Sequence, residues 1–477
     1  MDMFIDGEWR RAISGQTFDV RNPATGEILA SVPDGSREDA EQAILAAHGA
    51  FPSWAGLTAY DRSKILYRAY QLMLSKREEL AKTMTREQGK PLRSAGNEVQ
   101  YGADFLLWYA EEAKRICGET IPSSRADQRF LVAHQPVGVV GAITPWNYPI
   151  SMITRKLSPA LAAGCTIVLK PAEATPLCAI EIFKIFEEAG VPPGVINLVT
   201  ALDPEPIGDE FIVNPFIRKI TFTGSTEVGK QLASGAGAHM KRISMELGGH
   251  APFLVLKDAD PIHAAKGAAL VKFLNTGQAC ICPNRIFVHQ SSEEDFSREF
   301  VARVTKLRAG NGLEPGISIG PLINFEAIEK AERQVEDAIK KGARLLLGGN
   351  RLSGSGYDTG YFFEPTILSN VTRDMLIYRQ ETFGPIAPII SFSDDDDLLG
   401  MANDTNFGLA AYVYTQNLSA GMRTFEGLHF GIIGINDINP TSAAVPFGGM
   451  KESGIGREGG HEGLFDYLET KIGGFSI

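Results

Sequence analysis

The chain has 477 residues, of which 44% are hydrophobic and 22% charged, and its formal net charge is −11. This length exceeds what one hydrophobic core usually supports, so two or three domains are expected. The composition excludes disordered and fibrous proteins. The acidic balance opposes a general role on nucleic acid, whose backbone needs clustered lysine and arginine.

Cysteine usage and the start of the chain point to a reducing compartment. Five scattered cysteines in a long chain argue against a secreted disulfide framework. The acidic N-terminus lacks a signal peptide pattern. The longest nearly apolar run, Pro159 to Leu169, is shorter than the ~20 residues of a membrane-spanning helix. We therefore expect a cytoplasmic protein with neither nucleic-acid nor membrane partners.

The N-terminal part predicts short strands followed by one long helix. Turn pairs separate short apolar pieces in the first 35 residues. Apolar residues then recur at helical spacing from Thr58 to Gly89. Thr58 and Asp61 resemble a capping box at its start, and Gly89 and Pro91 end it.

From Val137 onward, apolar runs and amphipathic stretches alternate. Strands are predicted over 137–144, 166–169, 195–199, 219–223 and 253–256, and helices over 153–164, 176–189 and 227–236. Strict alternation predicts a parallel, doubly wound sheet. Such sheets bind ligands at the carboxyl ends of their strands.

A second alternating region follows Gly248-Gly249. Helices are predicted over 259–274 and 325–341, and strands over 285–289 and 344–347. The last residues, 467–477, look like a strand. An isolated terminal strand needs a partner edge, so we expect it to pair within an oligomer.

Two residues near this boundary are candidates for chemistry. Cys280 lies in a turn of small polar residues, which predicts a lowered thiol pKa and an accessible nucleophile. A lone cysteine is otherwise a small buried hydrophobe, as we expect for Cys165 and Cys178. Glu246 stands between apolar neighbours and a glycine pair. An apolar pocket would raise its pKa and suit a general base, and the alternative is an exposed glutamate at a strand end.

Three loops after predicted strands could bind a cofactor or an oxyanion. The segment Gly224 to Gly229 opens a helix, where backbone N–H groups favour phosphate, although an ordinary capped turn fits equally. Lys170 and Glu173 could hold sugar hydroxyls. Asn147 lies in a stiff loop between two prolines, so its amide is either an oxyanion donor or part of an Asx turn.

Other catalytic classes find little support. Gly316 to Gly320 matches the G-x-S-x-G pattern of serine hydrolases, but a glycine–proline loop precedes it and Pro321 follows it. The eight histidines show no HExxH pattern and no C-x-x-C pair exists, so no metal is expected.

Together, the stretches around Cys280, Glu246, Asn147, Lys170 and Gly224 resemble the aldehyde dehydrogenase superfamily. The resemblance covers essentially the whole chain. The specific motifs are Met245-Glu246-Leu247-Gly248-Gly249, Asn275-x-Gly277-Gln278-x-Cys280 and Glu381-Thr382-Phe383-Gly384-Pro385. The resemblance implies an α/β fold with a Rossmann-type parallel-sheet cofactor domain, an α/β catalytic domain and a β-arm for oligomerisation. It assigns 1–115 and 137–247 to NAD(P) binding, 248–443 to catalysis, and 116–136 and 460–477 to the arm of a homodimer or homotetramer.

The resemblance also implies the roles of individual residues. Cys280 would be the nucleophile, Glu246 the base, and Asn147 an oxyanion donor together with the Cys280 N–H. The implied cofactor-binding residues are Thr144, Trp146, Lys170, Glu173, Gly224, Ser225, Gly229, Leu247, Glu381 and Phe383. Because Glu173 would repel a 2′-phosphate, NAD is the preferred cofactor. A mobile Glu173 would also admit NADP.

Among members of the superfamily, the chain is most similar to succinate-semialdehyde dehydrogenases. The shared stretches are Met152 to Lys156 and Cys280-Ile281-Cys282. Arg155 would pair with a substrate carboxylate or sulfonate, with Ser442 as a weaker candidate, unless Arg155 forms only a surface salt bridge.

One departure from that pattern leaves the substrate open. Leu274 stands where those enzymes commonly have arginine. Lactaldehyde, sulfolactaldehyde or another semialdehyde therefore remain alternatives, as does a non-catalytic member of the superfamily. The resemblance further suggests a reversible Cys280–Cys282 disulfide as a redox switch.

Overall fold

The computed structural model describes all residues, 1–477. The strands are β1 Met3–Ile5, β2 Glu8–Arg10, β3 Thr17–Arg21, β4 Ile28–Pro33, β5 Glu119–Ile121, β6 Gln128–Pro136, β7 Val139–Ile143, β8 Thr166–Lys170, β9 Ile196–Leu198, β10 Ile217–Thr223, β11 Arg242–Glu246, β12 Ala251–Val255, β13 Pro283–His289, β14 Arg344–Leu347, β15 Thr366–Ser369, β16 Ile386–Phe392, β17 Phe407–Gly408, β18 Ala410–Tyr414, β19 Ile432–Ile435, β20 Met450–Lys451, β21 Gly454–Ile455 and β22 Leu468–Ser476.

The α-helices lie between these strands in the sequence. They are α1 Arg37–Ala55, α2 Ala59–Ser75, α3 Arg77–Gln88, α4 Leu92–Glu112, α5 Ser151–Ala163, α6 Pro176–Ala189, α7 Glu205–Val213, α8 Thr226–Ala238, α9 Pro261–Lys272, α10 Glu293–Val304, α11 Phe325–Lys340, α12 Leu376–Arg379, α13 Leu398–Asn403, α14 Leu418–Gly427 and α15 Glu462–Phe465. Helices α2 and α3 pack against α4 and α6, and α4 packs against α5. No helix combines the length and apolar character needed to cross a membrane.

The single long helix predicted over 58–89 was wrong. Lys76, with φ −100° and ψ 14°, ends α2 and starts α3. The buried positions Leu66, Ala69, Met73, Leu80 and Met84 keep a helical spacing across the break, so the apolar pattern holds no signal of it. Packing of both helices against α4 and α6 decides the change of direction.

An eight-stranded sheet forms the first half of the molecule, in the order β2-β1-β9-β8-β7-β10-β11-β21. Its central strands, β9 to β11 in this order, are parallel, and antiparallel strands close both edges. Ile167 and Leu169 of β8 enter one hydrophobic cluster, while Val168 enters another on the opposite face. A sheet buried on both faces explains why these strands are continuous apolar runs.

A second, seven-stranded sheet has the order β14-β15-β16-β13-β12-β18-β19 and is parallel except at β14. Phe253 and Val255 of β12 face one core, and Leu254 faces the other. The predicted doubly wound α/β architecture is therefore confirmed in both halves of the chain.

The C-terminal tail pairs within its own chain, so the expectation of a partner edge in an oligomer was wrong for this strand. Strand β22 runs antiparallel to β6 over nine residue pairs, and β5 completes a three-stranded sheet. The partner strand at 128–136 alternates intermediate and exposed residues, and its apolar content is too low to signal a buried strand.

Candidate active site

The carboxyl ends of four neighbouring parallel strands meet at one edge of the first sheet. Strands β8, β7, β10 and β11 end at Lys170, Ile143, Thr223 and Glu246. The register pairs Ile143 with Lys170, and Thr223 with Glu246. The loops that follow carry most of the residues singled out in the sequence, as expected for ligand sites in such sheets.

Two cavities open at this edge and share Cys280 and Met152 in their walls. The first, of about 260 Å³, is lined mainly by α4, α5 and the Cys280 turn and includes Lys90, Tyr101, Arg155, Leu274 and Thr441. The second, of about 250 Å³, is lined by Trp146, Asn147, Gly224, Ser225, Leu247, Lys330, Glu381 and Phe383, among others. We name them the substrate-side and cofactor-side cavities. Cys280 thus stands where a group in one cavity could react with a group in the other.

The turn that presents Cys280 is held in a left-handed backbone conformation. Asn275, Thr276 and Gly277 have φ values of 49°, 60° and 76°. The Gln278 side chain accepts a hydrogen bond from the backbone N–H of Ile323 at 3.0 Å, which ties the turn to the segment around Ile323. The backbone N–H of Cys280 donates to no backbone acceptor, which leaves it available to an oxyanion.

The expectation of a lowered thiol pKa at Cys280 was wrong. Burial, followed by the Glu246 carboxyl group, raises the pKa of the Cys280 thiol well above its ordinary value. The small polar residues of the turn do not outweigh the loss of solvent. The resting thiol is therefore neutral and needs a proton acceptor before it can attack.

Glu246 lies at the end of β11 and is 2% exposed. Both carboxyl oxygens are buried without a hydrogen-bond partner. Burial raises its pKa to about 8, and the buried position rules out the alternative of an exposed glutamate at a strand end. The glycine pair beyond it allows a close approach: a Cβ on Gly249 would lie 2.1 Å from the Cys280 carbonyl oxygen. This contact brings the β11 end against the Cys280 turn.

Asn147 is buried, and its amide has a fixed direction. Its Nδ2 donates to the Gln278 carbonyl oxygen at 3.1 Å, which leaves its second N–H free. The backbone carbonyl oxygen of Asn147 accepts from Asn275 Nδ2 at 2.9 Å and from Lys90 Nζ at 2.7 Å, which holds the main chain beneath the amide. An amide held in this way matches the demand of an oxyanion site for preorganised donors.

Donors suited to a dinucleotide lie in the wall of the cofactor-side cavity and at the end of β8. Lys170 Nζ, which does not line the cavity, is buried and has one carboxylate partner, Glu173, at 3.4 Å, whose side chain is 43% exposed. Ser225 caps α8 by accepting from the Val228 N–H, and the free N–H groups of that helix start favour a phosphate. Thr223 Oγ1 is a buried hydroxyl without a partner in the cavity wall. These features fit NAD(P).

Close packing beneath this region favours a glycine at 229. A Cβ there would lie 2.3 Å from Leu247 Cδ2, so the Leu247 side chain or α8 would have to move. Thr144 lies outside the lining of both cavities. Its backbone N–H donates to the Lys170 carbonyl oxygen at 3.2 Å and its hydroxyl is buried, so it supports the strand ends.

Part of the cofactor-side cavity wall, Lys330, Glu381 and Phe383, comes from the half of the chain that contains the second sheet. Glu381 accepts from the Gly249 N–H at 2.9 Å, and burial raises its pKa, while Lys330 opposes that shift. The rings of Trp146 and Phe383 meet edge to face at 5.6 Å between centroids. Polar and aromatic groups thus close the end of this cavity near Cys280.

The sequence profile of the aldehyde dehydrogenase family matches residues 9–472. The chain belongs to the aldehyde dehydrogenase family. It is 52% identical to a probable NADP⁺-dependent succinate-semialdehyde dehydrogenase of Sinorhizobium fredii, over 96% of this chain and 92% of that one. It is 48% identical to a 3-sulfolactaldehyde dehydrogenase of Pseudomonas putida, over 98% and 95%. A solved succinate-semialdehyde dehydrogenase from Burkholderia pseudomallei superposes with a TM-score of 0.97 at 45% identity, over 100% and 98%.

In this aldehyde dehydrogenase Arg155 is buried, so the alternative of a surface salt bridge was wrong. Arg155 lines the substrate-side cavity and lies 4.1 Å from the Phe447 ring centroid. Its Nη2 is 2.7 Å from a carboxylate oxygen of Glu458, whose other oxygen is 2.5 Å from Lys156 Nζ. Arg155 therefore shares one carboxylate with a second cation, and the cluster has a net charge of +1.

Two other residues from the sequence lie away from the predicted contacts. Ser442 is exposed and does not line the substrate-side cavity, whereas Thr441 and Asn439 do. Cys282 is buried and its Sγ lies 3.2 Å from the Val271 carbonyl oxygen. Both Cys280 and Cys282 are free thiols.

The structure adds residues that the sequence reading had missed. Helix α4 supplies Glu98 and Tyr101 to the substrate-side cavity, and Lys90 and Lys330 complete the two cavity walls. No helix is predicted over 92–112 from the sequence, although Val99, Ala103, Leu106 and Ala110 are buried at helical spacing. That apolar period was the available signal. The partners of the charged residues were not visible in the sequence, because they come from distant segments.

Proposed function

We propose that this aldehyde dehydrogenase oxidises a small aldehyde with an anionic end group to the carboxylic acid, through a covalent bond to Cys280. The observation that carries the proposal is the position of Cys280 in the walls of both cavities. The buried and unpartnered Glu246 carboxyl group lines neither cavity, but it is close enough to raise the pKa of the Cys280 thiol. The test is absorbance at 340 nm with NAD or NADP and a panel of aldehydes. Cys280→Ala should abolish turnover, and steady turnover in that variant would refute the role.

The first half of the reaction forms a bond between the sulfur and the aldehyde carbon. As the thiol attacks, its proton passes to solvent and the carbonyl oxygen becomes an oxyanion. We assign the stabilisation of that oxyanion to the free N–H groups of Asn147 and Cys280. Loss of one such donor costs about 2.7–4 kcal/mol in other enzymes. The residues of the cofactor-side cavity would hold NAD(P), which would supply a hydride acceptor. Loss of hydride from the former aldehyde carbon leaves a thioester on Cys280.

The second half hydrolyses that thioester, and here we assign Glu246 as the base. Its pKa of about 8 lies close to neutral pH, where a general base is most effective. The ionised carboxylate takes a proton from water, which attacks the thioester carbon. The acid is released and the Cys280 thiol is restored.

The dimensions and charge of the substrate-side cavity support a short anionic substrate. Its volume of about 260 Å³ lies at the small end of ligand pockets, which usually span ~300–1,000 Å³. The net charge of +1 on Arg155, Lys156 and Glu458 favours an anion nearby. The names of the Sinorhizobium fredii and Pseudomonas putida relatives each specify an aldehyde with an acidic group. This group is a carboxylate in the first and a sulfonate in the second.

Selection of the anion by Arg155 can be measured directly. In the wild type, kcat/KM for succinate semialdehyde should exceed that for an uncharged aldehyde of equal length. We expect Arg155→Leu to lower this ratio roughly tenfold, about 1.4 kcal/mol, because the cluster then loses its net charge. An unchanged ratio would assign the end group to Asn439 and Thr441 instead.

For the cofactor, we propose that NAD is preferred, that NADP is also accepted and that Glu173 sets the ratio. Its carboxylate opposes a 2′-phosphate, but it is 43% exposed and can turn toward solvent. Lys170 would then be free to contact that phosphate. Glu173→Gln should raise kcat/KM for NADP roughly tenfold and change the value for NAD by less than about threefold. No gain with NADP would contradict this role.

We also propose that the protein is a homodimer or homotetramer, joined through the sheet formed by β5, β6 and β22. Ile121, Leu131, Ile472 and Phe475 expose large apolar side chains there. In this proposal, 116–136 and 460–477 form the arm, 1–115 and 137–247 bind the cofactor, and 248–443 supply the Cys280 turn. Light scattering after size-exclusion chromatography should give a smaller species for Ile472→Asp than for the wild type.

A further inference from the structure

A buried ion pair lies in the wall of the substrate-side cavity. Lys90 and Glu98 have side chains that are each 1% exposed, and their charged groups are in direct contact. Lys90 follows α3 immediately after Gly89, and Glu98 lies in the second turn of α4. Burial of two charges is costly and seldom improves stability over an apolar pair. The pair therefore calls for a role other than stability.

The contacts of the pair lead to the loop that carries Asn147. Lys90 Nζ donates to the Asn147 carbonyl oxygen at 2.7 Å and lies 4.0 Å from the Tyr148 ring centroid. Glu98 Oε1 accepts from the backbone N–H groups of Ile150 at 3.0 Å and Ser151 at 3.2 Å. Lys90 thus holds Asn147, before the Tyr148-Pro149 turn, and Glu98 holds Ile150 and Ser151 after it.

The Glu98 contacts supply hydrogen-bond acceptors that the start of helix α5 otherwise lacks. Helix α5 begins at Ser151, and its N-cap residue, Ile150, has no side-chain cap. The Glu98 carboxylate supplies the missing acceptor at the positive end of the helix. On the other side of the turn, Asn275 Nδ2 is the only other side-chain donor to the Asn147 carbonyl oxygen. Loss of Lys90 would leave Asn275 as the only side-chain donor to that oxygen.

We propose that Lys90 and Glu98 are positioning residues, which fix the Asn147 amide in the direction that the oxyanion requires. The inference rests on the proposed role of Asn147. Because Glu98 compensates the Lys90 charge, the pair serves the loop and is not the site for the substrate anion. Neither residue needs to contact the substrate for this effect.

The test compares two reactions of Cys280 in the full-length enzyme. Reduced-cofactor formation in a single turnover passes through the oxyanion, whereas alkylation by iodoacetamide displaces iodide and forms no oxyanion. In Lys90→Met we expect the single-turnover rate to fall about 30- to 100-fold, with alkylation and aldehyde KM changed less than about threefold. Lys82→Met, at an exposed position of α3, is the matched control and should leave both rates unchanged.

A double-mutant comparison separates positioning from a general structural effect. If Lys90 acts through Asn147, then Lys90→Met/Asn147→Ala should be no slower than Asn147→Ala alone. Lys90→Met/Glu98→Gln removes both buried charges, and it supplies the same comparison if the single variant fails to fold. The inference would be overturned if the two substitutions lowered the single-turnover rate multiplicatively. It would also be overturned if the alkylation rate fell in parallel with the single-turnover rate. A wild-type rate in Asn147→Ala would instead overturn the role of Asn147 itself.

Discussion

Replacement of Glu246 by glutamine tests the chemistry and the electrostatics of the site together. Glutamine keeps the size of the side chain and removes a carboxyl group that is 2% exposed and has no hydrogen-bond partner. Loss of a general base usually lowers a rate by about 10²- to 10⁴-fold. Because the base acts after hydride transfer, we expect one burst of reduced cofactor per site followed by very slow turnover.

The same carboxyl group predicts a pH dependence in the wild type. With a pKa of about 8, only roughly a tenth of the carboxyl groups are ionised at pH 7, and roughly nine tenths at pH 9. If deacylation limits the rate, kcat should rise nearly tenfold per pH unit below this value and level off above it. The assay is steady-state absorbance at 340 nm between pH 6 and pH 10.

Stability should change with pH in the opposite direction. The pKa of Glu246 is raised by burial from 4.5 to about 8, so the unfolded chain releases this proton at a lower pH than the folded protein does. The wild type therefore loses stability as the pH rises through this window, by at most about 5 kcal/mol. Glu246→Gln avoids that loss.

Urea unfolding at pH 5 and pH 9 measures this difference. The gain of Glu246→Gln over the wild type should be small at pH 5 and reach several kcal/mol at pH 9, while Glu329→Gln, at an exposed position, should show none. The reasoning is refuted if Glu246→Gln turns over steadily within about tenfold of the wild type. A variant less stable than the wild type at pH 9 would contradict the assigned cause of the pKa shift.

Three further substitutions test individual contacts. Gly229→Ala places a Cβ 2.3 Å from a Leu247 methyl group. NAD(P) titrations should show an affinity reduced roughly tenfold, and the free energy of unfolding should fall by about 1–3 kcal/mol. Wild-type values for both would contradict this packing. Cys282→Ala should prevent recovery by thiol after peroxide treatment if the hypothesised disulfide with the catalytic cysteine forms, and equal recovery in both proteins would exclude it. Glu458→Gln leaves two buried cations without their carboxylate and should cost about 3–5 kcal/mol in urea unfolding, whereas an unchanged midpoint would show that the cluster adds no stability.

Much of the fold followed from local patterns. The predicted helix 176–189 and strand 344–347 have the observed bounds, because each is delimited by turn residues and has a clear period. The catalytic candidates Cys280, Glu246 and Asn147 were found in the same way, from short motifs beside predicted strand or helix ends. Such signals lie within a few residues of the position they describe.

Other features had no local signal. The break at Lys76 interrupts a regular apolar spacing, and the tail strand β22 pairs with a segment more than 300 residues earlier in the chain. Packing against α4 and α6 decides the first feature, and pairing with β6 decides the second. Propensity and periodicity do not describe such tertiary contacts, so they predict one helix in place of α2 and α3 and the wrong partner for the tail.

The electrostatics of the site divides in the same way. Residue type and motif spacing made a thiol, a carboxyl group and an amide candidates for catalysis, and the family resemblance predicted that they serve one reaction. Only the tertiary structure decided that the Cys280 thiol has a raised pKa and that the Arg155 charge is shared with Glu458. The physical reason is that a pKa and an ion pair depend on the solvent excluded and the charges brought near by the whole fold, which neighbours in sequence do not define.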